Sequence, residues 1–62
     1  MRRADAQRTI IREWLALPAD ERRTKEQAVA YAMTAAHRFK FRYKGDRYQL
    51  IQLWLFNYVD LP

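Results

Sequence analysis

Between Ala4 and Leu17 the apolar residues Ile10, Ile11, Trp14, Leu15 and Leu17 fall on one side of a helical plot, with Asp5, Arg8, Arg12 and Glu13 opposite. That division into one apolar stripe and one polar face is the pattern of a surface helix. It predicts a helix over 4–17, ended by Pro18, and then a polar connector, ADERR, with room for one helical turn. A second periodic stretch follows, in which Ala28, Val29, Ala32, Met33, Ala36 and Phe39 share a face. Thr24 and Gln27 stand at capping-box spacing just before it, so the predicted helix spans 24–38. Its alanine content favours the helix by propensity and allows close approach to a neighbour.

The third stretch is apolar nearly all round. Tyr48, Ile51, Trp54, Leu55 and Tyr58 cluster, Leu50 and Val59 flank them, and Leu53 and Phe56 interrupt the polar side made by Gln49, Gln52, Asn57 and Asp60. Asp46 with Gln49 three residues on repeats a helix start signal, and Gly45 before it supplies a residue that tolerates positive φ. The prediction is a helix over 46–59. An alternative makes Gly45-Asp46 a two-residue hairpin turn in an α+β fold, but strand alternation fails at Ile51 and Gln52. The expected architecture is therefore all-α: one compact three-helix domain over 1–62, with residues 1–3 as a flexible basic arm.

A chain of 62 residues buries only about 60% of the surface its unfolded form exposes and is held by a small margin unless something reinforces it. It has no cysteine, hence no disulfide or thiolate metal site, and one histidine, His37, which cannot build a zinc site alone. With half its residues hydrophobic and 15% aromatic, it is rich enough to pack a core unaided. Self-association is the other reinforcement, and a helix apolar on all sides points to it. Leu53 and Phe56, with Leu50 and Trp54, are the predicted surface for a homodimer or a partner protein.

Charge sharpens the picture. Twelve Lys/Arg against seven Asp/Glu give a net charge of +5, which favours polyanionic partners. Five of the cations (Arg38, Lys40, Arg42, Lys44 and Arg47) lie within ten positions, opposed only by Asp46. From Arg38 to Lys44 bases alternate with Phe39, Phe41 and Tyr43. In an extended connector over 38–45 this would set the aromatics inward, as core plugs, and the cations outward at about 6.5–7 Å spacing along an edge. Such a strip suits phosphates, and Arg2 and Arg3 would add to it from the arm. Arg22, Arg23 and Lys25 make a weaker cluster, neutralised by Asp20, Glu21 and Glu26.

No catalytic constellation assembles. The chain has no cysteine, no serine and no glycine-rich phosphate loop, and its carboxylates are scattered, so neither an enzyme nor a cofactor is expected. Met1-Arg2-Arg3 is followed by polar residues rather than an apolar signal region, and no apolar run reaches the ~20 residues of a membrane span. The expected location is the cytoplasm, with no membrane partner and no small-molecule substrate. The leading expectation is a small basic nucleic-acid-binding protein, regulatory in character, that contacts the phosphates of duplex DNA. The rival is a non-enzymatic interaction module or inhibitor, docking through the third helix on an acidic protein partner.

Overall fold

Three helices account for the described part of the chain: α1 (Arg3–Ala16), α2 (Lys25–Arg38) and α3 (Arg47–Phe56), with a 3₁₀ turn at Ala19–Glu21. The computed structural model describes residues 1–59, and among them there is no strand. The hairpin alternative at Gly45-Asp46 is thereby replaced by a helix start. The all-α, three-helix expectation holds.

Each boundary has a local cause. Leu17 leaves the helix with φ −70° and ψ 152°, the extended conformation that Pro18 imposes on the residue before it, so α1 ends at Ala16. Arg2 is the N-cap of α1 and Arg3 its first helical residue, which draws Arg3 out of the expected arm. At α2 the capping box is complete. Gln27 N donates to Thr24 Oγ1 at 3.1 Å, and Thr24 N donates to Gln27 Oε1 at 3.0 Å. Gln27 also holds the connector, through Nε2 to the Asp20 carbonyl at 2.8 Å.

Helix α3 is capped from one side only, by Asp46 Oδ1 accepting from Tyr48 N at 2.9 Å. It is shorter than the predicted 46–59. The turn after Phe56 closes with Tyr58 N donating to the Leu55 carbonyl, and the Tyr58 carbonyl then accepts from Trp14 Nε1 at 3.1 Å. Docking to a buried tryptophan thus takes the chain out of the helix. Asp60 lies outside the described residues.

Lys25, at the start of α2, lies over the Phe56 ring at the end of α3, so these two helices run in opposite directions. They are the most closely packed pair. Their seam is built on Ala28, Ala32 and Ala35, all buried, which let the α3 backbone approach. The buried face of α2 is rotated from the predicted one: Met33 is 54% exposed, and Ala35 takes the inward position. On α1 the same happens, with Ala6, Ile10 and Trp14 buried and Leu15 exposed. On α2 small alanines occupy the crowded positions and Met33 is pushed outward, because a close helix pair has no room for a methionine between backbones, whereas α1 keeps the large Ile10 and Trp14 inside. Ile51 and Leu55 complete the core from α3, each fully buried. Full burial of such a side chain stabilises by roughly 1.5–3 kcal/mol.

Helix α1 stands off from α2 and is joined to it by long side chains. Trp14 meets Tyr31 edge-on at 5.5 Å, and Tyr31 Oη donates to Glu13 Oε1 at 2.8 Å. No helix among the described residues is long and apolar enough to cross a membrane.

Candidate functional site

The segment between α2 and α3 pairs with no strand among the described residues; it is extended at Phe39, with φ −110° and ψ 107°, and bends at Lys44-Gly45. Its alternation is real but its aromatics part company. Phe39 is half-buried against the core, and Phe41 is sealed in and stacked on Trp54 at 5.5 Å. Those two are the core plugs expected from the sequence. Tyr43 is 37% exposed and is not among the residues packed on the core.

The cations divide as well. Arg38 belongs to the last turn of α2 and grips Glu13 of α1 with both guanidinium branches, Nη1 to Oε1 at 3.0 Å and Nη2 to Oε2 at 3.2 Å. Its guanidinium also lies 5.0 Å from the Phe39 ring centre. The hydrogen bond from Arg38 holds the Glu13 carboxyl below the ordinary value, despite partial burial. The same bond raises Arg38. Burial, and then the bond to Glu13, pushes Tyr31 up to about 12.

Arg47 is likewise engaged. It lies in α3, half-buried, and its Nη2 donates to the Ala36 carbonyl near the end of α2 at 3.2 Å. Its Nε is buried with no hydrogen-bond partner. Two of the five strip cations are therefore ties between helices.

Lys40, Arg42 and Lys44 remain exposed. Arg3 joins them from the start of α1, with its guanidinium carbon 5.8 Å from the centre of the Tyr43 ring. Arg3, Arg42, Tyr43 and Lys44 line one open hollow of about 410 Å³. Arg2 is exposed at the adjacent N-cap. Gly45 has its reason here, and it is not the positive φ expected from the sequence: no glycine has one. A Cβ on Gly45 would come within 2.8 Å of Tyr43 Cε2, so the missing side chain is what lets the ring lie back against the turn.

No family model, curated protein or solved structure matches the chain.

The expected partner surface on α3 is distributed differently. Leu53 is 63% exposed. Phe56 is half-buried beneath Lys25, Trp54 is stacked on Phe41, and Leu50 packs against the core. Sequence reasoning missed two residues of the site. Glu13, as the partner of Arg38, lies 25 positions away and carries no local signal. Tyr43 was grouped with the inward aromatics, although its neighbour Gly45 was a legible hint that something needs space there.

Proposed function

We propose that the protein binds nucleic acid, in a regulatory and non-catalytic role, through phosphate contacts from Arg3, Lys40, Arg42 and Lys44. The observation that carries this reading is the meeting of Arg3 with Arg42 and Lys44 around one hollow, from segments almost forty positions apart in the chain. None of these cations has a carboxylate partner among the described ion pairs, whereas Arg8 and Arg38 do. Unpaired cations converging on a concave surface favour a polyanion over plain solvation. Arg38 and Arg47 support the site indirectly, by fixing both ends of the connector.

The test is charge reversal at Lys40, Arg42 and Lys44 together, read by fluorescence anisotropy with a labelled oligonucleotide at low salt. Binding is expected to be lost while the helical circular dichroism is kept. Arg38 is left out of this variant, because a glutamate there would face Glu13 and strain the fold. The single reversals Arg42→Glu and Arg23→Glu, each changing the net charge by two, are the control for net charge alone, since Arg23 is exposed and does not line the hollow. Equal loss in both variants would reduce the interaction to a non-specific charge effect.

A second reading, docking on another protein or a second copy through α3, rests on Leu53. Its test is sedimentation of the wild type and of Leu53→Gln. A larger species that disappears in the variant supports it, and a monomer in both removes it.

A further inference from the structure

We propose that the hollow formed by Arg3, Arg42, Tyr43 and Lys44 is a subsite for an unpaired nucleotide, so that the protein prefers single-stranded nucleic acid to duplex. The proposal rests on the nucleic-acid reading above and narrows it.

Tyr43 is the reason. The other two aromatics of the connector are held by the core, whereas Tyr43 is exposed and outside it. Its ring is nevertheless positioned, with the Arg3 guanidinium carbon 5.8 Å from its centre and the bare Gly45 backbone against its Cε2 edge. An aromatic ring displayed at a concave surface and surrounded by cations has the make-up of a base-stacking platform with phosphate contacts beside it. The Arg3 guanidinium is a second flat surface of the kind on which unpaired bases stack. In a duplex the base faces are covered by their neighbours, and the ring would have nothing to grip.

The elements also lack a reader for a groove. The connector between α2 and α3 runs from residue 39 to 46, longer than the 3–4 residues of a helix-turn-helix. The outward residues of α3, Gln49 and Leu53, and its C-cap Asn57 include no cation. Nothing protruding and basic is offered to a major groove by that helix. The concave hollow suits a flexible strand that can place one base inside and its flanking phosphates on the rim.

The experiment is an anisotropy titration with four labelled probes of one length: oligo-dT, oligo-U, an abasic sugar-phosphate strand, and a duplex. The wild type is expected to bind oligo-dT or oligo-U about tenfold more tightly than the abasic strand, the size of one base–aromatic stack. Whichever of the two binds more tightly identifies DNA or RNA as the source of the strand. Tyr43→Leu is expected to erase that difference, and Tyr43→Phe to keep it. Circular dichroism of both variants checks that the fold persists, as expected for a residue outside the core. Equal binding of the abasic strand and oligo-dT, or tighter binding of the duplex, would overturn the subsite while leaving the phosphate contacts standing. No binding to any of the four at low salt would overturn the nucleic-acid reading itself.

Discussion

Arg47 and Lys44 are three positions apart and carry the same charge, yet they do different work. Arg47 sends its guanidinium to the Ala36 carbonyl and buries its Nε, whereas Lys44 is exposed at the rim of the hollow. Removing a donor from a half-buried carbonyl costs roughly 1–3 kcal/mol, and removing a free surface cation costs within about 0.5 kcal/mol. Arg47→Ala is therefore expected to lower the urea midpoint clearly and Lys44→Ala hardly at all, with the order reversed for oligonucleotide affinity. If Lys44→Ala destabilised as much as Arg47→Ala, the division between tying and binding cations would be wrong. This division could not be read from the chain. Arg38, Lys40, Arg42 and Lys44 recur at every second position and Arg47 follows three on, and only the ends of α2 and α3 decide which of them turn inward. The hollow was half legible: the cations and the basic start of the chain were visible, but not the ring of Tyr43 that stands between them.

At the scale of elements, the legible part was whatever depends on local chemistry. Thr24 with Gln27, Asp46, and Pro18 each marked a helix end within a few residues, because caps and prolines act on their own neighbours. The rotation of α2 was not legible. Ala28 and Ala32 were expected inside, but Val29 and Met33 are as apolar as a core residue needs to be, and only the close approach of α3 puts Ala35 beside those alanines in their place. The joint between α1 and α2 has a pH signature of its own. Glu13 is held below the ordinary value of 4.5 chiefly by Arg38, so its contribution is present above 4.5 and is lost as pH falls through the lower folded value. Tyr31 is pushed from 10.0 up to about 12 by burial and by Glu13, so its contribution is intact below 10 and is lost as pH rises toward 12. Thermal melts across pH are expected to show a plateau between these windows and a fall on each side. Tyr31→Phe should flatten the alkaline fall, and Glu13→Gln should shrink the acid one. In a domain of this size about 1 kcal/mol moves Tm by roughly 4–8 °C, which makes both changes measurable. An alkaline fall unchanged in Tyr31→Phe would show that the joint does not hold α1 in place.

The whole molecule is an elongated body of 34 × 18 × 17 Å with its charge unevenly spread. Arg3 joins Arg42 and Lys44 where α1 begins and the connector passes, whereas Arg22, Arg23 and Lys25 are matched by Asp20, Glu21 and Glu26. A net +5 concentrated in this way orients the molecule toward a polyanion before contact and makes the encounter sensitive to salt. The number of cations left free sets the size of that sensitivity. Five strip cations on duplex DNA would give a log–log salt slope between about −4 and −5. With Arg38 and Arg47 engaged between helices, three strip cations remain and Arg3 makes a fourth contact; single strands release fewer counterions per phosphate, so the slope for oligo-dT is expected near −3. A homodimer resting on Leu53 and engaging one strand with both copies would double that to about −6. Dissociation constants measured at four salt concentrations, with the wild type and Leu53→Gln side by side, separate these cases. A slope near −3 in both proteins fits one hollow working alone. A slope near −6 that halves in Leu53→Gln would mean that two copies act together, and a slope near −1 would leave too few phosphate contacts for Arg3, Lys40, Arg42 and Lys44 to act as a set.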